Sequence, residues 1–362
     1  MVAISRRRIP AESPKRGDMS MASSDCVSDL FARPPDQRTD SWYAAIRGKS
    51  HLVAEKKHIV EMWRFYYTSG LHDPEFINEF PTQFPHRWWE LEVAWFLHQS
   101  GFRLTRPAAG PRGSGPDLLC TKDDIEVYVE AVVPEPGKRD SPDYPKPVSF
   151  SVGADGISAS GTISLPEKER PELLRLTNSI ESKVCQYHTW CAKQRSDPSL
   201  QFNPQLPFVI ALSPVMIPDM ASDEGGLPAI IKAVYAVGLK SLDVDCASGE
   251  ITGEGRTYRP NIQKSNKAPV STSIFLPSPS QERYAGISGI LYSHCDYQRS
   301  ICFSPARSHP FVFVHNFVAR NRLKVGCFGE NMDYWFEQGD GVYEVRNNIQ
   351  SVQDTDTGSD AD

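Results

Sequence analysis

No stretch of this chain constrains its fold as tightly as residues 117–133, DLLCTKDDIEVYVEAVV. DLLC and IEVYVEAVV read as two strands joined by the short polar turn KDD. With the turn centred between Asp123 and Asp124, antiparallel pairing sets Lys122 against Ile125, Thr121 against Glu126, Leu119 against Tyr128 and Asp117 against Glu130. The alternate face of the second strand is Ile125, Val127, Val129, Ala131 and Val133, which predicts one buried face and a well-specified register. Directly opposed side chains have Cβ atoms only about 4.5–5.5 Å apart, so this register brings two acids together at the open end of the hairpin. Like charges so placed are destabilising, and partial burial adds to the cost. A divalent cation between them removes the penalty, and hard carboxylate oxygens suit magnesium or manganese. A slip of one residue would instead leave Asp117 to cap a turn and Glu130 to emerge into solvent.

The flanking segments supply helices and more strands. From Trp42 to Gly70, Ile59, Met62, Trp63 and Tyr66 recur at helical spacing. HRWWELEVAWFLHQSGF puts Trp89, Val93, Phe96 and Leu97 on one helical face, with Gly101 as a stop. On that helix Glu90 borders the apolar face, as a third carboxylate or as plain surface, and Glu92 is its solvated counterpart. Residues 105–116 read as a Gly/Pro loop, and residues 134–167 as a long connection with room for a small hairpin. The helix EKERPELLRLTNSIESKVCQYHTWCAK carries the apolar stripe Leu173, Leu176, Ile180, Val184, Tyr187 and Cys191. Beside it runs a polar stripe, Arg175, Ser179, Lys183 and Gln186. From there the Lys183 ammonium reaches the sheet edge where the acids lie, or snorkels along the helix border. PFVIAL, SGILYSH and PFVFVHN read as strands, and AIIKAVYAVG as a helix or a strand, with the helix preferred. The predicted architecture is α/β, a mixed sheet flanked by helices.

The 362 residues carry a formal charge of −6, with 40% hydrophobic and 23% charged side chains, as in ordinary soluble domains. This excludes collagen, coiled coil and wholesale disorder, and it argues against a protein that coats DNA by bulk positive charge. No apolar run approaches the roughly 18 residues of a membrane span. The eight cysteines form no C-x-x-C pair, and no G-x-S-x-G or H-E-x-x-H occurs. The Pro-broken polar residues 1–40 and the aspartate-rich residues 348–362 are expected to be disordered leader and tail. No apolar signal segment stands at the start, so the cytoplasm is the expected compartment.

One ordered set draws these observations together: Glu90 on a helix, Gly115-Pro116-Asp117 opening a strand, Glu130-Ala131-Val132 closing the next, and Lys183 with Gln186 on the following helix. It resembles the PD-(D/E)XK nuclease superfamily, the restriction-endonuclease-like fold, over roughly residues 86–212. The resemblance implies a nuclease core over 86–215, with a helical extension at 41–85 and further elements of the same domain at 216–347. It implies that Asp117 and Glu130, with the Ala131 carbonyl and Glu90, hold Mg²⁺ or Mn²⁺, and that nucleic acid, DNA foremost, is the substrate. The family's usual lysine, two residues after the glutamate, is replaced here by Val132. Some branches carry that lysine on the neighbouring helix, which makes Lys183 the migrated lysine and Gln186 its companion. Arg106, Arg112 and Arg175 are then candidate phosphate-binding residues, with Lys138 and Arg139 nearby in sequence. A homodimer fits an enzyme that cuts both strands. Two other readings stay open: a degenerate member of the same fold that binds nucleic acid or protein without cutting, and an interaction protein built on Trp88, Trp89 and Trp95.

Overall fold

The pattern of residues 117–133 produces the hairpin it predicts. Strand pairing joins Leu118 to Val129, Leu119 to Tyr128, Cys120 to Val127, Thr121 to Glu126 and Lys122 to Ile125. Asp123 takes the left-handed backbone that a tight turn demands (φ 52°), a conformation aspartate tolerates better than most residues. The computed structural model describes residues 29–107, 115–145, 151–152, 159–160, 165–197, 202–217, 227–244, 248–279, 281–293, 311–338 and 343–348.

The helices are α1 (Ser41–Gly48), α2 (Val53–Thr68), α3 (Phe76–Glu79), α4 (Phe84–Gln99), α5 (Leu165–Ser196), α6 (Ala229–Val234) and α7 (Gln281–Tyr284). The strands begin with β1 (Arg103–Thr105), β2 (Leu118–Lys122), β3 (Ile125–Val132), β4 (Ser151–Val152), β5 (Ala159–Ser160), β6 (Phe208–Leu212) and β7 (Val237–Val244). They continue with β8 (Ile251–Tyr258), β9 (Asn261–Gln263), β10 (Pro269–Ser271), β11 (Gly289–Ser293), β12 (Phe311–His315), β13 (Asp333–Gln338) and β14 (Tyr343–Asn347). Eight of them make one mixed sheet in the order β1-β2-β3-β6-β11-β12-β13-β14. The pairs β3–β6, β6–β11 and β12–β13 are parallel and the others antiparallel. The sheet runs through both the 86–215 and the 216–347 stretches, so the C-terminal strands extend the sheet that carries the hairpin. The connection after β3 contains the small hairpin β4–β5.

The protein is thus mixed α/β, with helices on both faces of the sheet. Helices α1, α2 and α4 share a core with Val127, Val129, Phe311 and Phe313. Helix α5 packs Leu173, Leu176, Ile180, Val184 and Tyr187 against Tyr128, Phe208, Ile210 and Leu212 on the other face. Burial of both faces alters three expectations. Strand β3 is covered on each side, since Tyr128 and Glu130 are as inaccessible as Val127 and Val129, as befits a strand with a parallel neighbour inside a sheet. Helix α4 is enclosed nearly all round, so Glu92 is 5% exposed and not solvated. Within residues 1–40, the part from Asp29 is ordered: Leu30 and Phe31 enter the core, and the Asp40 carboxylate caps α1 by accepting the Trp42 and Tyr43 N–H groups. Residues 1–28 and 349–362 lie outside the described residues. No helix among the described residues is long and apolar enough to cross a membrane.

The loop leaving β3 is strapped to α5. Arg175 Nη2 donates to the Asp143 carbonyl at 2.7 Å, while Asp143 accepts from Arg170 and from Ser265. The Arg175 guanidinium presses on Gly137, where a Cβ would lie 2.6 Å from Nη1 and where φ is +84°. Only glycine suits that position.

Candidate active site

At the open end of the hairpin the ladder gives way to side-chain bonds. Past the Leu118–Val129 pair, the Asp117 N–H donates to Glu130 Oε2 at 3.2 Å, and Asp117 Oδ2 accepts the Ala131 N–H at 2.8 Å. The two acids thus lie together as the register requires, each fixed by the other's strand. From α5, Lys183 Nζ donates to Glu130 Oε1 at 2.7 Å, with the lysine side chain 18% exposed and the glutamate 5%. Gln186 is half-buried one turn further along the same helix.

Glu90 comes from the opposite face of the sheet. Trp89 Nε1 donates to the Ala211 carbonyl of β6 at 2.9 Å, which seats α4 on the sheet. There Glu90, Asp117 and Ala131 share a narrow crevice with Tyr66 of α2 and the aliphatic Val93 and Val129. Arg87 Nη1 donates to both Glu90 oxygens, at 2.9 and 3.0 Å, and the same guanidinium binds Asp73 and Glu79. Arg106 is occupied too, donating to the Leu71 carbonyl at 2.8 Å and lying 3.7 Å from Asp73.

This chain of contacts holds five carboxylates (Asp73, Glu79, Glu90, Asp117 and Glu130) and three cations (Arg87, Arg106 and Lys183). The acids are in excess by two charges. Burial is the main reason that Glu90 and Glu130 are both pushed up to about 8, and the Asp117 charge pushes each in the same direction. Arg87 opposes the rise at Glu90, and Lys183 opposes it at Glu130. Burial also raises Asp117, against the pull of Lys183 and the Ala131 N–H. Near neutral pH the crevice therefore holds protons where its charges call for a cation. The Asp117 and Glu130 carboxylates and the Ala131 carbonyl are hard oxygen donors that suit Mg²⁺, which keeps several waters and needs few protein ligands. Among the described residues, no group of three or more His, Cys, Asp or Glu side chains is arranged to enclose a metal ion; Glu90 adds its charge while bound to Arg87.

The sequence-predicted residues thus divide. Asp117, Glu130, Ala131 and Lys183 are linked by hydrogen bonds, and Glu90 joins Asp117 in the crevice. Arg106 and Arg175, the candidate phosphate binders, donate to the Leu71 and Asp143 carbonyls. Lys138 and Arg139 are exposed, and Arg112 lies outside the described residues. Two participants were not anticipated. Arg87 is signalled by its i, i+3 spacing to Glu90. Tyr66 enters the sequence reading only through its helical spacing; burial, and the Glu90 and Asp117 charges beside it, push its phenol pKa up.

Fold and site together define a mixed α/β protein with a carboxylate-rich crevice at the end of a sheet hairpin. No protein-family model matches the chain, and no curated protein or solved structure does.

Proposed function

We propose that this protein is a Mg²⁺- or Mn²⁺-dependent nuclease of the restriction-endonuclease-like type, hydrolysing phosphodiester bonds of nucleic acid, DNA foremost. The observation that carries the reading is the Asp117–Glu130–Lys183 constellation: two carboxylates joined through the Asp117 N–H, with an ammonium on the second and an uncompensated charge excess around them. Such an arrangement costs stability unless a cation completes it. Asp117, Glu130 and the Ala131 carbonyl would hold the ion, which would lower the pKa of a bound water and stabilise charge on the phosphate in the transition state. Lys183 orients the attacking water and neutralises phosphate charge, and Gln186 positions it. Tyr66 offers a hydroxyl donor from the crevice wall.

Supercoiled plasmid and labelled oligonucleotides incubated with Mg²⁺, Mn²⁺ or EDTA test the reading directly. Cleavage that needs the divalent ion is expected; no cleavage of DNA or RNA under any condition counts against it. A thermal titration supplies a second check. Because folding raises the Glu90 and Glu130 pKa values, the unfolded chain releases these protons at lower pH than the folded one. Stability of the metal-free protein should therefore be highest near the ordinary carboxylate range and fall as pH rises toward 8. Mn²⁺ should restore it and release protons on binding, visible as buffer-dependent heats in calorimetry. A flat pH dependence with no response to metal would instead favour the degenerate binding module, the reading to which Val132, at the family's usual lysine position, lends weight.

A further inference from the structure

We propose that His86 is the general acid of this hydrolysis and that Glu135 is its positioning residue; the inference rests on the nuclease reading above. His86 lies in the first turn of α4, four residues before Glu90, so the two side chains share one face of the helix. Glu135 lies just past the end of β3, five residues beyond Glu130. His86 Nε2 meets Glu135 Oε1 at 3.0 Å, a contact between residues 49 apart in sequence. That single bond ties α4, which carries Glu90, to the segment leaving β3, which carries Glu130. The pair is open to solvent, with side chains 32% and 67% exposed, where an exposed ion pair adds little to stability. Accessibility is what a group acting on a polymeric substrate requires.

The chemistry leaves a place for such a group. Hydrolysis forms one P–O bond to the attacking water and breaks one P–O bond to a sugar. The electron pair of the broken bond stays on the sugar oxygen, which needs a proton to leave as an alcohol. Asp117 and Glu130 face inward and are committed to each other and to Lys183. Imidazole is the side-chain type that exchanges protons near neutral pH. With Nε2 held by Glu135, Nδ1 has no hydrogen-bond partner among the described residues and is the nitrogen available to the leaving oxygen. His86 gives up this proton and regains one from solvent, which takes up the proton released by the attacking water, so the step balances. The charged neighbours of His86 on its own helix are Arg87 and Glu90, and Arg87 also binds Asp73 and Glu79 from the preceding segment. All four are already joined through Arg87, which leaves Glu135 as the acid that holds the imidazole.

Two substrates separate this role from a structural one: an ordinary oligonucleotide, and one with bridging sulfur at the leaving position, whose thiolate departs without a proton. His86→Gln should cut the ordinary linkage about 10²-fold more slowly and the sulfur linkage at nearly the parental rate. The Mn²⁺-induced rise in Tm should be unchanged. Glu135→Gln should show the same selectivity in milder form. Equal slowing on both substrates, or parental rates on the ordinary one, overturns the general-acid role and leaves the nuclease reading intact. A parent protein that cuts neither substrate overturns the nuclease reading and this inference with it.

Discussion

Asp117→Asn should abolish cleavage and yield a protein more stable than the parent in the absence of metal. Both effects follow from one atom. The asparagine retains an amide oxygen to accept the Ala131 N–H that Asp117 Oδ2 accepts now, so the hairpin end keeps its geometry. What disappears is the negative charge that helps to push up both Glu90 and Glu130. Relieving that repulsion inside a buried cluster should add about 1 kcal/mol, read as a higher urea midpoint at pH 8. The gain should shrink toward pH 5, where the neighbouring acids hold their protons in the parent as well. The same charge is half of the pair proposed to bind the divalent ion, so cleavage should fall by about 10³-fold or more and the Mn²⁺-induced rise in Tm should largely vanish. Opposite signs for stability and activity are the mark of a functional site held in an unfavourable arrangement. An asparagine variant that cut as fast as the parent would place the chemistry elsewhere. One that was less stable at every pH would mean that the Asp117 charge holds the fold together.

The hairpin behind this prediction could be read before any coordinates because period-two patterning and a two-residue polar turn admit few registers. The acids then had to meet. Lys183 was legible for a related reason: its place at the border of the Leu176–Ile180–Val184 stripe aims it at the sheet that the stripe covers. The misreadings share a physical cause, namely partners distant in sequence. Glu92 looked solvated because helical periodicity registers one partner surface, and α4 has two, the sheet on one side and α1 and α2 on the other. Likewise, nothing near Arg175 in sequence shows that Gly137 and the Asp143 carbonyl return to cover its guanidinium. Leu30 and Phe31, two apolar residues in a polar run, have no periodicity to betray their burial. Strands β13 and β14, which complete the sheet, went unread as well. Asp333, at the start of β13, is buried by a bond from His315 on β12, a pairing that no local pattern announces.

Lys183→Met should give the largest loss of stability of any single change at the site. Its ammonium is the only cation bonded to Glu130 among the described contacts, and the Glu130 side chain is 5% exposed. Methionine fills a similar volume and keeps the helix border packed, so the variant isolates the charge. Removing one partner of a buried pair leaves the other uncompensated, which destabilises the fold wherever that other group must carry its charge. The loss depends on pH. Below the raised pKa of Glu130 the carboxyl holds its proton in parent and variant alike, and their stabilities should converge near pH 5.5. As pH passes about 8 the parent forms the ion pair, while the variant must keep the proton or bury a bare charge, so the gap should open by about 1.4 kcal/mol for each pH unit above 8. Urea denaturation at the two pH values measures the gap. Adding Glu130→Gln to Lys183→Met should restore most of the loss, because the orphaned charge goes with it, and the double-mutant cycle then reports the coupling itself. Mn²⁺ should narrow the gap at pH 9 by supplying positive charge from the other side of the carboxylates, yet cleavage should stay about 10²-fold below the parent, since the ion does not replace an ammonium that orients water. A variant equally destabilised at pH 5.5 and pH 9 would make Lys183 a packing residue, and one that was fully active would remove it from the chemistry.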